Sequence, residues 1–146
     1  MRQQPRHALI SGAALTASLG ALLLAAPPAA AGTTMFSSPS GNIGCIIATG
    51  YGARCDISQR DWSRGPRPAG CPTFTDWGQG LIVGKAGKGH IVCAGDTALG
   101  SEDVLAYGAH RSLGRYTCTS RTSGVTCRNR RTGHGFRIAK QRYKLF

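Results

Sequence analysis

Six cysteines constrain the fold of this chain more than any other feature of its sequence. They are separated by gaps of 9, 15, 21, 24 and 8 residues, and they are Cys45, Cys55, Cys71, Cys93, Cys118 and Cys127. None of these gaps has the C-x-x-C spacing that structural zinc sites and redox motifs use. An even number of cysteines in an exported chain predicts disulfides. We therefore predict three disulfides, no metal site and no free thiol.

The first 31 residues have the pattern of a signal peptide. The positive residues Arg2, Arg6 and His7 come first. An apolar stretch, Ala8–Ala26, follows them, and the small residues Ala29–Ala31 then form a cleavage site. A membrane anchor is the alternative, because about 19 mostly apolar residues approach the length of a membrane-spanning helix. Ala, Gly, Ser and Thr dilute the stretch, however, so we expect residues 1–31 to be a signal peptide. Residues 32–146 would then form one secreted, monomeric domain without a cofactor.

Two pairs of neighbouring cysteines lie in sequences typical of β-hairpins. In each, apolar and polar residues alternate on both sides of a turn signal, which is Ser123-Gly124 in one hairpin and Gly50-Tyr51-Gly52 in the other. The glycines of the second turn can adopt positive φ. Antiparallel strands bring the cysteines of each hairpin opposite each other, which leaves the remaining two to pair. The predicted disulfides are Cys45–Cys55, Cys71–Cys93 and Cys118–Cys127.

Helix is a minor component of the expected fold, because no segment has a 3.6-residue apolar stripe over three turns. Ser101, followed by Glu102 and Asp103, suits the start of a short helix, with a surface turn as the alternative. Further strands are predicted at Leu81–Gly84, His90–Ala94, Val104–Tyr107, Gly135–Ala139 and Arg142–Phe146. Short strands with glycine-rich turns predict an all-β domain, built as a small disulfide-stapled antiparallel sheet, sandwich or barrel.

Positive charge is concentrated in the C-terminal part of the chain. Val104–Phe146 contains ten Arg and Lys and no acidic residue, whereas Gly32–Asp103 contains six basic and six acidic residues. Strand alternation assigns the following residues to the core: Tyr116, Cys118, Val125, Cys127, Phe136, Ile138, Tyr143 and Leu145. The opposite parity contains the basic residues Arg115, Arg128, Arg130, Arg137, Arg142 and Lys144.

An acid-free basic face predicts binding of an anionic polymer or surface, because protein surfaces normally mix both signs of charge. Cell-envelope polymers, nucleic acid and anionic lipid head groups all fit this description. The alternative is a solvated outer face that only keeps the protein soluble.

Seven segments of the chain resemble a family of small secreted actinobacterial proteins of unknown function. They are SPSGNIGC (Ser38–Cys45), RCDI (Arg54–Ile57), DWGQGL (Asp76–Leu81), CAGDT (Cys93–Thr97), VLAYG (Val104–Gly108), SGVTC (Ser123–Cys127) and GHGF (Gly133–Phe136). The resemblance spans nearly the whole of the predicted mature domain. It implies an exported single-domain protein with the cysteines as its framework, and it implies no catalytic residue.

The three histidines and the one glutamate of the predicted mature domain supply the residue types of a small basic ribonuclease or phosphodiesterase, which needs acid/base groups and cations. His90, His110, His134 and Glu102 do not have the spacing of a nucleolytic motif. We expect His90 at a strand edge, His110 in a loop, and His134 facing inward as a structural residue with the parity of Phe136. We therefore expect a non-enzymatic protein, with the nuclease as the alternative.

The remaining acidic and aromatic residues have structural interpretations. Asp96, Glu102 and Asp103 lack the regular spacing of a calcium loop, and we expect them to pair with the basic sheet. Trp62 and Trp77 are expected to supply core area rather than to stack on a ligand.

A further alternative is a secreted inhibitor or effector. The proline-rich segment Arg64–Pro72, tied down by the predicted Cys71–Cys93 disulfide, would be its rigid bait loop.

Overall fold

The computed structural model describes residues 31–146, so residues 1–30 of the predicted signal peptide lie outside the described residues. Within this range the chain forms ten β-strands and no helix. The strands are β1 (Thr33–Ser37), β2 (Ile43–Ala48), β3 (Gly52–Ile57), β4 (Trp77–Val83), β5 (His90–Cys93), β6 (His110–Leu113), β7 (Tyr116–Arg121), β8 (Gly124–Asn129), β9 (Gly135–Ile138) and β10 (Tyr143–Leu145). The all-β class predicted from the sequence is confirmed.

The strands form two antiparallel sheets of five strands each, in the orders β1-β2-β3-β4-β5 and β10-β9-β8-β7-β6. Each sheet is a meander, in which every strand pairs with the next strand along the chain. The first sheet packs on the second through β3 and β4, which contact β7, β8 and β9. Of the three architectures that the sequence allowed, the structure is the sandwich.

Alternation along the strands builds the core between the sheets. The first sheet contributes Phe36, Ile47, Leu81 and Val83, and the second contributes Tyr116, Val125, Phe136 and Ile138, all fully buried or nearly so. Burial of apolar surface at about 25 cal/mol per Å² makes this layer the main source of stability. Tyr143 and Leu145, which the sequence also assigned to the core, are half-buried because β10 is an edge strand.

Three disulfides join the same cysteines that the hairpin argument paired, which are Cys45–Cys55, Cys71–Cys93 and Cys118–Cys127. The first and the third link the second and third strands of their respective sheets. Each half of the domain therefore follows one plan, a five-stranded meander with a disulfide across its second hairpin. Of the two glycines in the turn between β2 and β3, Gly52 has a positive φ of 142°.

The crossover segment, residues 94–109, connects β5 to β6, and its residues Asp96–Leu99 lie on the outer face of the first sheet. Gly44 and Gly80 lie on either side of Asp56 in one cross-strand row. A Cβ on Gly44 would meet the backbone of Ala98 and Leu99, and a Cβ on Gly80 would meet the backbone of Cys55 and Asp56. Gly44 therefore lets the crossover segment lie directly on the sheet, whereas Gly80 leaves room for the neighbouring strand β3.

The strand predicted in the crossover segment, at Val104–Tyr107, was wrong. Val104–Tyr107 forms no strand but a single parallel bridge, between Val104 and Ser37. The chain turns away at Gly108, which has a φ of 89°, and the Ala109 amide donates to Ala106 in this turn. The sequence around Ser101 forms a surface bend, and the Asp103 amide donates to the Ser101 hydroxyl at 3.3 Å.

Sequence reasoning missed the two strands β1 and β6. Their sequences, TTMFS and HRSL, are too polar for a clear alternating pattern, and both are edge strands of their sheets. Among residues 31–146, no helix has the length and apolar character needed to cross a membrane.

Candidate functional site

The outer face of the second sheet places threonines at the centre of a group of basic side chains. One cross-strand row contains Lys144, Arg137, Thr126, Thr119 and His110, in that order from β10 to β6. The neighbouring row pairs Arg128 with Thr117. We call this surface the basic face and define it by the predicted anion-binding residues together with the three threonines: Arg115, Arg128, Arg130, Arg137, Arg142, Lys144, Thr117, Thr119 and Thr126.

Of the six cations of the basic face, Arg128, Arg137 and Lys144 lie within strands, whereas Arg115, Arg130 and Arg142 lie in the turns and segments next to the strands. Five are exposed, and Arg115 is partly exposed in the turn before β7. The three threonines are half-exposed, so their hydroxyl groups form a short polar strip in the middle of the sheet. β-branched threonines suit this position, because they pack well on a pleated surface while keeping a hydrogen-bonding group.

Three guanidinium groups of the basic face are positioned by contacts with backbone carbonyls or an aromatic ring. Arg137 donates through Nε and Nη2 to the Ser123 carbonyl, at 3.3 and 2.9 Å. Arg130 donates to the Gly114 carbonyl at 2.6 Å, and the guanidinium carbon of Arg128 lies 5.1 Å from the centre of the Phe146 ring. A guanidinium has five N–H donors, so each of these arginines keeps donors for a ligand while its position is restricted.

Cations lie opposite one another on this face without an acid between them. Lys144 is the direct cross-strand neighbour of Arg137, an arrangement that destabilises an isolated sheet. Two depressions, of about 300 and 370 Å³, share Arg137 and Arg142 as lining residues. An anion bound between these side chains would relieve their repulsion, because it would be attracted to each of them.

Ion pairing neutralises one of the ten C-terminal cations among residues 31–146. Arg111 donates to Asp103 at 2.6 Å. This hydrogen bond raises the pKa of Arg111 and holds the pKa of Asp103 below its usual value. Asp103 therefore pairs with the second sheet, as predicted, and at its β6 edge.

For Asp96 the prediction of an ion pair with the basic sheet was wrong, because its partner, Arg54, belongs to the first sheet. Arg54 donates to Asp96 at 2.6 Å and makes a bidentate contact with Asp56, at 2.9 and 2.7 Å. Hydrogen bonding from Arg54 lowers the pKa of Asp96. Burial disfavours the charge on Arg54, but its hydrogen bonds to Asp56 and Asp96 raise its pKa overall. Glu102 forms no ion pair with any residue of the described range.

One cluster among residues 31–146 has the compactness of a metal site, and it consists of the sulfurs of Cys45, Cys55 and Cys127, within 4.8 Å of one another. All three cysteines are in disulfides, so they offer no thiolate to a metal.

The three histidines lie in different parts of the sandwich. His110 begins β6 and faces outward on the basic face, rather than lying in a loop as we predicted. His134 is half-buried directly before β9, three strands away from β6, which corresponds to about 14 Å at normal strand spacing. His90 is exposed at the start of β5, an edge strand of the other sheet. The structure does not bring His110 and His134 together as an acid/base pair.

The two tryptophans have different environments. Trp62 packs against the core, donates to the Ala139 carbonyl at 2.9 Å and meets the Tyr143 ring edge-on at 4.7 Å between centroids. Trp77 is half-buried at the start of β4, and its indole lies against the proline-rich loop, where it donates to the Gly65 carbonyl at 3.4 Å.

The two arginines of the proline-rich loop hold it against the residues that lead into β4. Arg67 donates to the carbonyls of Pro72 and Thr75, at 2.7 and 2.6 Å, and Arg64 donates to the Trp77 carbonyl at 2.6 Å. Both arginines of the bait loop are therefore bonded to backbone carbonyls between Pro72 and Trp77, where the loop ends and β4 begins. Phe74 is 90% exposed beyond them.

The fold and its three disulfides define a small disulfide-stabilised all-β domain, a class typical of extracellular proteins. Residues 17–146 match the model of a family of unknown function, DUF6636, and the chain belongs to this family. No curated protein and no solved structure matches the chain.

Proposed function

We propose that this protein is an exported, non-enzymatic binding protein that holds an anionic polymer or an anionic surface on its basic face. Export rests on the N-terminal sequence pattern and on the three disulfides, which persist in oxidising compartments. The resemblance to small secreted actinobacterial proteins supports the same compartment. The histidine positions give no support to the nuclease alternative.

The observation that most supports the binding role is a group of cations without ion pairs on one side of one sheet. Nine of the ten C-terminal cations form no ion pair within residues 31–146, and six of them belong to the basic face. Solubility alone does not require Lys144 and Arg137 to lie side by side, because a mixed surface serves that purpose without repulsion. Repeated cations on a sheet suit a ligand with repeated negative charges.

The geometry of the basic face suits phosphate, sulfate or carboxylate groups. Arginine recognises these anions with two parallel hydrogen bonds, and three arginines of the face are already held in place. The threonine strip offers hydroxyl donors between the cations. An extended polymer or a flat charged surface can therefore contact several cations at once, and the attraction would weaken steeply as salt increases.

Retention on immobilised heparin and on immobilised DNA at about 50 and 500 mM salt tests this proposal. We expect strong retention at the lower and weak retention at the higher concentration. In the double variant Arg137→Gln/Lys144→Gln, the slope of log affinity against log salt should fall by about two. Lys85→Gln/Lys88→Gln removes the same charge from the exposed β4–β5 loop of the first sheet and should leave the slope nearly unchanged.

Equal retention at both salt concentrations, or no retention at either, would overturn the proposal. An equal loss in both double variants would also overturn it, because net charge rather than the basic face would then control binding.

A further inference from the structure

A cavity of about 530 Å³ lies at one end of the sandwich, beside the basic face, and it shares Ala139 and Gln141 with the depression that Arg137 and Arg142 line. Three turns form most of its wall, namely those between β1 and β2, between β7 and β8, and between β9 and β10. Tyr107 of the crossover segment and two residues after β3 complete the wall. We call this space the end cavity. None of its lining residues is among the nine that define the basic face.

The lining of the end cavity is rich in groups that recognise a hydroxylated anion. Hydroxyl, amide and cationic side chains line it, and no Asp or Glu does; the groups that matter most are Ser40, Gln59, Tyr107, Arg121, Lys140 and Gln141. Most ligand pockets of about 300–1,000 Å³ are lined mainly by apolar side chains. This polar lining favours a polar ligand over an apolar one, and its two cations favour a negatively charged ligand.

Hydrogen bonds hold the wall of the end cavity in place, and the Ser40 hydroxyl takes part in them through the Ser38 hydroxyl and the Asn42 amide, at 3.1 and 3.3 Å. Asn42 exchanges two hydrogen bonds with the Gln59 backbone, at 3.0 and 2.8 Å. The backbone of the β9–β10 turn accepts from the Asp61 amide and from the Trp62 indole, at 2.8 and 2.9 Å. A preformed wall lowers the entropy that a ligand must offset on binding.

Tyr107 adds an aromatic surface to this polar site. It is 45% exposed, although its neighbours hold the turn firmly, since the Gly108 amide donates to the Ser120 carbonyl at 2.8 Å. A tyrosine combines an apolar ring face with a polar hydroxyl. That combination fits the apolar face of a sugar ring and one of its hydroxyl groups.

We infer that the end cavity binds a sugar or polyol unit that carries a phosphate or a carboxylate. Arg121 and Lys140 provide the charge contact, the amides and hydroxyls bind the sugar hydroxyl groups, and Tyr107 lies against the ring. The unit is either a free small molecule or one residue of an anionic glycan. This site does not depend on the basic face, so each can fail without the other.

Amide chemical shifts of the isotope-labelled domain, followed during titration with four probes, test the inference. The probes are glucose 6-phosphate, glucuronate, glucose and inorganic phosphate. The two sugar anions should shift resonances of the three turns and bind at least tenfold more tightly than glucose or phosphate alone. Equal affinity for glucuronate and a hyaluronan tetrasaccharide supports a free ligand, whereas tighter binding of the tetrasaccharide supports a unit within a glycan.

Three variants separate the site from general charge. Lys140→Gln should weaken binding of the sugar anions about tenfold, which is about 1.4 kcal/mol. Tyr107→Leu should weaken the sugar anions but not inorganic phosphate. Arg131→Gln removes the same charge from an exposed position outside the end cavity and should change nothing.

All three side chains are exposed, so the folded state should survive each change, and an unchanged unfolding midpoint verifies this. Equal affinity for inorganic phosphate and glucose 6-phosphate would overturn the inference. Shifts confined to residues outside the three turns, or an equal effect of Arg131→Gln and Lys140→Gln, would overturn it as well. Loss of retention on heparin with intact glucuronate binding would contradict the proposed function alone.

Discussion

The sulfur atoms of Cys55 and Cys127 lie 3.4 Å apart at the centre of the sandwich, so the disulfides of the two sheets are in contact. Both residues are fully buried. Each disulfide crosses the second hairpin of its own sheet, and their contact lies where β3 packs on β8. The covalent links within the sheets thus form part of the packing between the sheets.

This contact predicts that the buried disulfide Cys118–Cys127 stabilises the domain more than Cys71–Cys93 does. The sequence separations of 9 and 22 residues favour the longer loop by only about 0.8 kcal/mol of chain entropy. Removing two buried sulfurs from the core should cost about 2 kcal/mol or more in lost contacts and cavity formation. Cys93 is exposed, so the longer loop has less packing to lose.

Paired alanine variants measured by urea unfolding test this order. Cys118→Ala/Cys127→Ala should lower the free energy of unfolding by more than Cys71→Ala/Cys93→Ala does. The reverse order would mean that loop closure, and not core contact, determines the contribution of each disulfide.

A second prediction concerns Gly44 and Gly80, the two glycines on either side of Asp56. Gly44→Ala and Gly80→Ala should each lower the free energy of unfolding by about 1–3 kcal/mol, since the new methyl group meets backbone atoms that no side-chain movement can clear. Gly50→Ala is the matched control, because no atom lies within 4 Å of the added carbon and its φ is not positive. The control should change the urea midpoint little, and an equal loss in all three variants would contradict the packing argument.

The features of the fold that the sequence predicted correctly are those determined by residues close together in the chain. Alternation has a period of two residues, so the hairpins around Cys45 and Cys118 predicted their own disulfides and the exposed position of Arg128. The features it missed depend on contacts between distant segments. Gly44, for example, lies against the backbone of Ala98 in the crossover segment, and no local sequence pattern predicts that contact.

The candidate sites divide in the same way. The basic face follows from the parity of single strands, but the contact of Arg128 with the Phe146 ring depends on chain segments that meet only in the folded sheet. The end cavity is formed by three turns that are far apart in the sequence. No sequence pattern around its residues, such as Tyr107 and Lys140, indicates that they line one cavity.

A third prediction concerns the buried ion pair of Arg54 with Asp56. Asp56 is fully buried and also accepts from the Ala98 amide at 2.9 Å, which ties the crossover segment to β3. Arg54→Met should lower the free energy of unfolding by about 3–5 kcal/mol, because it leaves a buried carboxylate without its counterion. Asp96→Asn should cost about 1 kcal/mol or less, since the Asp96 side chain is 82% exposed. Urea unfolding at neutral pH compares the two variants, and similar losses would contradict the ordering.

A fourth prediction follows from the two aspartates whose pKa lies below the ordinary value of 3.8, because Asp96 accepts from Arg54 and Asp103 from Arg111. A carboxyl that is more acidic in the folded than in the unfolded protein stabilises the fold above its unfolded pKa, and this contribution disappears as pH falls through its folded pKa. The free energy of unfolding should therefore be flat from about pH 7 to 5 and should decrease below about pH 4.

In the double variant Asp96→Asn/Asp103→Asn this decrease should be shallower. The control Asp76→Asn changes an exposed aspartate that forms no ion pair among residues 31–146, and it should retain the full decrease. Urea midpoints measured across this pH range decide the matter, and an unchanged slope in the double variant would show that these two pairs do not control acid stability.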